Sequence, residues 1–143
     1  MPESEGLERF VTAQAGVYEN VCAELTAGRK ASHWMWFIFP QLRGLGRSET
    51  ARYYGLRDLN EACAYDAHDV LGPRLHACAE LVLGHPDKPV QDIMGKIDAL
   101  KLRSCATLFE RAAAKPEVFS TLLETFFDGS RCALTEEELE EKR

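Results

Sequence analysis

The chain lacks any apolar run long enough to cross a membrane. Its longest, Trp34 to Phe39, is six residues, against the ~20 that a bilayer-spanning helix needs. The N-terminal stretch MPESEGLERF carries acidic residues where a secretory leader has a basic region followed by an apolar one. The expected setting is the cytoplasm, with no membrane partner.

No C-x-x-C pair occurs among the five cysteines, Cys22, Cys63, Cys78, Cys105 and Cys132, which are odd in number and widely spaced. That excludes a disulfide framework and reads as reduced thiols packed among apolar helix residues. The four histidines, His33, His68, His76 and His85, form no H-x-x-x-H and no matched Cys/His set. Neither a metal nor a cofactor is expected. Also missing are a G-x-x-x-x-G-K-[ST] loop, a complete dinucleotide fingerprint and a nucleophile–base–orienter set. Alternating strand patterns, internal repeats and low-complexity blocks are lacking as well.

What the sequence does have is helical periodicity. At 143 residues the chain fits one domain, which on folding buries roughly 70% of the surface its unfolded form exposes. Leu7, Phe10, Val11, Val17, Tyr18, Val21, Cys22 and Leu25 recur at three- and four-residue intervals, predicting an amphipathic helix ended by Gly28, with Gly16 as a candidate break. Residues 33 to 39 are too short for periodicity to choose between helix and strand, and Pro40 stops them.

Ser48 is placed to cap a short helix, and Asp58 with Glu61 has capping-box spacing for a helix reaching Ala67. Leu75, Cys78, Ala79, Val82 and Leu83 predict a helix up to Gly84; Val90, Ile93 and Met94 mark a shorter one. Asp98 opens another to about Ala114, and Pro116 starts the last main helix, which ends at Gly129. The expected fold is all-α: a compact, irregular bundle of about seven short helices in one domain over residues 1–130. Residues 131–143 read as an acidic, partly disordered tail, a solvated and fraying helix at best despite the capping-box pair Thr135 and Glu138.

Charge is uneven. Between residues 29 and 52, Arg29, Lys30, Arg43, Arg47 and Arg52 face only Glu49, a local +4 in a chain of net charge −6, which leaves −10 for the rest. A positive region on an acidic protein attracts a small anion while the whole repels a long polyanion, so nucleic acid is an unlikely partner. In LRGLGRSE, Gly44 and Gly46 could take positive φ and bring N–H groups to an anion, and Ser48 heads a helix. An ordinary tight turn with a helix cap explains the same residues.

The aromatic run carries two readings as well. Trp34 and Trp36 could stack on a planar ring, with Lys30 or Arg43 supplying a cation; or they are core, as Phe37, Ile38 and Phe39 read. His33, at the junction of the basic and aromatic parts, is the natural acid/base candidate, although a hydrogen-bonded structural histidine fits equally. Gln14 falls on the first helix's apolar stripe and Gln41 follows Pro40; each either ties down a nearby backbone group or lines a pocket with His33.

The run GRKASHWMWFIFPQLRGLGRS, with RFVTAQAGVY before it and YDAHDVLGPRL and DALKLRSCATLF after it, resembles the uncharacterised bacterial DUF1810 family from about Leu7 to Phe127. The resemblance implies a compact all-α domain and supplies no reaction. It covers Gln14, Tyr18, Lys30, His33, Trp34, Trp36, Gln41, Gly44, Gly46 and Ser48. Two departures are a Ser104–Cys105 pair where the family has two serines, and Asp66 where it has leucine.

Together these residues suggest binding of a small anionic, phosphate-bearing and nucleotide-like metabolite. The expected site comprises Gln14, Tyr18, Lys30, Trp34, Trp36, Gln41, Arg43, Gly44, Gly46, Arg47 and Ser48, with His33 as the one catalytic candidate. Whether the chain is an enzyme is left open. The alternative is a protein-interaction module docking through exposed Trp and Arg side chains.

Overall fold

The computed structural model describes residues 3–141; residues 1–2 and 142–143, the ends of the expected domain and tail, lie outside the described residues. Among the described residues there are ten α-helices and one 3₁₀ turn, with no strand. They run α1 (Glu3–Gln14), α2 (Tyr18–Ala27), α3 (Met35–Ile38), the 3₁₀ turn (Arg43–Leu45), α4 (Glu49–Tyr53), α5 (Leu59–Ala67), α6 (Leu71–Leu83), α7 (Val90–Met94), α8 (Lys96–Ala112), α9 (Glu117–Phe127) and α10 (Ala133–Glu141). The all-α, single-domain expectation holds.

Helix α8 forms the axis. It packs against α5, α7, α9 and α10, while α6 lies against α2, α5 and α9 and α1 covers α3 and α5. An unbroken line of rings crosses the core: Phe10 meets Tyr65 edge-on at 5.1 Å, Tyr65 meets Phe109 at 5.6 Å, and Phe109 meets Phe119 at 5.7 Å. All four are fully buried. Burying each such ring contributes about 2 kcal/mol, so α1, α5, α8 and α9 are held by one shared apolar cluster.

The first amphipathic stripe is two helices, because Gly16 takes φ 84° and turns the chain between α1 and α2. Gly28 ends α2 in the left-handed conformation, φ 75°, directly beneath the His85 ring. A side chain there would meet both backbone strain and the imidazole. The aromatic segment forms one helical turn, α3, and the caps predicted at Ser48 and Asp58 form as well, whereas Thr135, expected to cap the tail, lies inside its last helix. Ser48 Oγ accepts from Ala51 N at 3.1 Å, and Asp58 Oδ1 accepts from Glu61 N at 2.9 Å.

Residues 42 and 56 pair as an isolated parallel bridge: Arg43 N donates to the Leu56 carbonyl at 2.7 Å, and Leu56 N to the Gln41 carbonyl at 2.9 Å. The intervening segment, carrying α4, is thus closed at its neck.

The tail departs from the solvated expectation over residues 133–141. Cys132, Thr135 and Leu139, three and four apart, are buried, and α10 packs on α8 and the 3₁₀ turn. Cys132 N donates to Thr107 Oγ1 at 2.9 Å and Ser104 Oγ to Cys132 Sγ at 3.2 Å. Burial alone would raise the Cys132 thiol; the Ser104 hydroxyl and the amides at the start of α10 outweigh it and hold the thiol below its ordinary value. One narrow stripe, easily lost among five glutamates, is enough to dock the helix.

Candidate functional site

Trp34 is closed off from ligands. Its indole is 2% exposed and Nε1 donates to Glu24 Oε1 at 2.9 Å. The same carboxylate accepts from Ala31 N at 2.6 Å, Ser32 N at 3.0 Å and Ser32 Oγ at 2.6 Å. Burial alone would raise Glu24, but these donors, Ser32 Oγ foremost, outweigh it and bring the carboxyl down to about 2. Lys30 sits 4.9 Å over the Trp34 ring and pairs with Asp98 at 2.9 Å. The stacking platform read from the aromatic run is therefore corrected for Trp34, which is core, with its nearest cation already engaged. Trp36 is half-buried, with Lys101 Nζ 5.4 Å above its ring.

Gln14 is buried as a tie between elements. Its Nε2 donates to the Phe37 carbonyl at 2.7 Å and to Tyr65 Oη at 3.2 Å, and its Oε1 accepts from Arg74 at 3.3 Å. Tyr18 lies under the Arg74 guanidinium, 4.4 Å from ring to Cζ. Burial pushes the Tyr18 phenol up, and Cys22 and Cys78 beside it add to the effect. Gln41 contributes its backbone carbonyl to the bridge with Leu56. His33 is exposed, and among the described residues no hydrogen bond or ion pair engages its side chain.

The glycine loop does not form an anion cradle. Neither Gly44 nor Gly46 takes positive φ. The segment closes into the 3₁₀ turn, in which Leu45 N donates to the Leu42 carbonyl at 3.1 Å and Gly46 N to the Arg43 carbonyl at 3.0 Å, while Arg43 N is taken by the Leu56 carbonyl. Gly46 is needed for close packing on the Ala51 backbone, whereas only the movable end of the Glu138 side chain rests against Gly44. Arg47 faces a hollow of about 280 Å³ that it shares with Glu137 and Glu138, a poor place for an added anion. Ser48 serves the cap already described.

Arg43 alone of the expected residues enters an open groove of about 950 Å³ between α1 and α4. Glu8, Arg9, Thr12 and Ala13 of α1 form one wall; Glu49, Arg52 and Tyr53 of α4, with Tyr54, form the other; Arg43, Arg57 and Glu61 close the ends. Glu49, Arg52 and Tyr53 stand at i, i+3 and i+4, so a five-residue helix turns all three to one side.

Arg9 fastens the two walls. Its Nε donates to the Tyr53 carbonyl at 2.7 Å, a second guanidinium nitrogen to the Gly55 carbonyl at 3.0 Å, and a third lies on the Gly6 carbonyl. The charge is balanced by buried Glu61 at 3.6 Å. Glu61 Oε1 in turn accepts from Arg57 N at 2.8 Å. Tyr53 is 59% exposed and stands edge-on to Tyr54, centroids 4.8 Å apart. Burial, and then Tyr53, pushes the Tyr54 phenol up. Among the described residues no three His, Cys, Asp or Glu side chains gather as metal ligands.

Over residues 4–139 the chain matches the family described as a protein of unknown function, DUF1810. It belongs to the DUF1810 family. A solved structure, that of the conserved hypothetical protein Rv1873 from Mycobacterium tuberculosis, is similar to it at TM-score 0.92 and 50% identity, over 94% of this chain and 96% of that one. No curated protein matches. In this DUF1810 chain, Arg9, Glu8, Tyr53, Tyr54 and Arg57 are groove residues that the sequence reading passed over. The detectable signal was the E-x-x-R-Y spacing at Glu49, Arg52 and Tyr53, which sets a carboxylate, a guanidinium and a phenol on one helix face.

Proposed function

We propose that the chain binds a small phosphate-bearing metabolite in the groove between α1 and α4. The observation that carries this reading is the convergence of Arg43 and Arg52 with two tyrosines on one hollow of about 950 Å³, the upper end of the ~300–1,000 Å³ usual for small-molecule sites. Guanidinium groups bind phosphate in a planar, two-pronged fashion and lose little entropy in doing so. Arg9, neutralised by Glu61, serves the walls and not the ligand. A cytoplasmic setting suits such a metabolite, and among the described residues no helix is long and apolar enough to cross a membrane.

Thermal-shift titration with inorganic phosphate and pyrophosphate tests the reading. Ligand at about 100 times its Kd should stabilise the native state by about 2.7 kcal/mol. The Arg43→Ala, Arg52→Ala double variant should lose most of that shift. Equal shifts in both proteins would remove the groove from consideration.

A second reading, docking of a protein partner, has one specific observation behind it. Ile97 is 71% and Leu100 56% exposed at the start of α8, on the same face as Lys101, which covers Trp36. Ala substitutions at Ile97 and Leu100 would weaken a docked partner and leave phosphate shifts unchanged.

A further inference from the structure

The charges of the groove discriminate among phosphate compounds. Arg43, Arg52 and Arg57 line it together with the carboxylates of Glu8 and Glu49. Among the described residues no ion pair or hydrogen bond engages the side chains of Glu8 or Glu49, whereas Glu61 is taken up by Arg9 and the Arg57 amide. The cations Arg43 and Arg52 thus face two unengaged carboxylates across the same space, and the site is not uniformly positive. A compact polyanion would satisfy the guanidinium groups and press against the carboxylates. A better complement carries a phosphate at one end and hydrogen-bond donors a few ångströms away.

Tyr53 adds a third chemistry. Its ring is 59% exposed, stands edge-on to Tyr54 at 81°, and rises from a backbone carbonyl that Arg9 holds at 2.7 Å. It is thus a supported aromatic face. An adjoining hollow of about 570 Å³ is lined by Glu49, Thr50, Tyr53 and Tyr54, so Glu49 and the two tyrosines border both spaces. Along α4 the order is carboxylate, guanidinium, phenol within five residues. Phosphate, a vicinal diol and a planar ring, joined in one molecule, would meet all three.

We infer that the ligand is a nucleoside phosphate with an intact ribose diol, its phosphate on Arg43 and Arg52, its sugar hydroxyls donating to Glu49, and its base stacked on Tyr53. The inference rests on the phosphate-binding reading and narrows it. Carboxylates are natural acceptors for ribose hydroxyls, and base stacking on tyrosine tolerates any base.

The test is isothermal titration of the full chain with inorganic phosphate, ribose 5-phosphate, the four nucleoside 5′-monophosphates and a 2′,3′-dideoxynucleoside monophosphate. At least one nucleoside monophosphate should bind about tenfold or more tighter than ribose 5-phosphate, with stacking as the source. Tyr53→Ala should remove that gain, and Tyr53→Phe should keep it. Loss of the diol should weaken binding about tenfold in the native chain and hardly at all in Glu49→Gln. These side chains lie at the surface, and circular dichroism of each variant confirms its fold. If phosphate binds but base and diol make no difference, the inference is overturned and the broader reading stands. If neither phosphate nor any nucleotide binds, both fall together.

Discussion

Gln14 in α1 and Phe37 in α3 are joined by a 2.7 Å hydrogen bond from the side-chain amide to the backbone carbonyl, deep enough that Gln14 is 1% exposed. Tyr65 Oη donates to the same carbonyl at 3.3 Å, and Arg74 supplies Gln14 Oε1. A one-turn helix such as α3 cannot hold itself in water. Its conformation is set by these two side chains arriving from α1 and α5.

Gln14→Leu keeps the volume and removes both hydrogen-bonding ends. Stability should fall by about 1–3 kcal/mol, because the buried partners are left short of hydrogen bonds. Urea denaturation reads the change. Phosphate-induced thermal shifts should persist, since Ala13 and not Gln14 borders the groove.

Glu24 makes a pH prediction. Its carboxyl falls from 4.5 to about 2 on folding. A depressed carboxylate contributes stability that is fully present above its unfolded value and is lost as pH drops from there through the folded one. Glu24→Gln should therefore be less stable at neutral pH by about 2 kcal/mol. The gap to the native chain should narrow as pH is lowered toward about 3. Denaturant midpoints across that range check it.

Two glycine substitutions should behave oppositely. At Gly72 a Cβ would strike the backbone carbonyl of Asp66, which cannot swing aside, so Gly72→Ala should cost about 2 kcal/mol. At Gly44 it would meet only the end of the Glu138 side chain, which can rotate away. Gly44→Ala should stay within about 0.5 kcal/mol of the native chain. Melting temperatures distinguish them.

For the tail, Leu139→Ala should cost about 2 kcal/mol, the low end for a buried leucine because α10 lies at the margin of the core. Glu140→Ala, on the exposed side of the same helix, should be neutral. Equal stability of all three proteins would show that α10 does not dock in solution.

The helices with repeated apolar stripes and clear punctuation, α6, α8 and α9, were readable from residue order, as were the caps at Ser48 and Asp58. α3 was not, since six apolar residues satisfy either period and the decision comes from Gln14 and Tyr65, distant in the chain. The site reading assumed that the basic and aromatic residues of 30–48, being neighbours in order, are neighbours in space. The 3₁₀ turn and α3 separate them, sending Trp34 inward and Arg43 to the surface. The groove is joined instead by Arg9 reaching residues more than forty positions away. No local pattern announces such a pairing.

The bridge that draws Leu42 beside Leu56 has an evolutionary corollary. Between those two points the chain presses Ala51 and Tyr54 onto the core and turns its charged side chains outward. Its exposed positions, Glu49, Thr50 and Arg52 among them, can be exchanged or recharged, whereas Tyr54, 5.9 Å from Phe10, carries any larger change into the ring stack beneath. A graft of a relative's residues at positions 49 and 52 should therefore change the charge of the groove and leave the melting temperature unaltered.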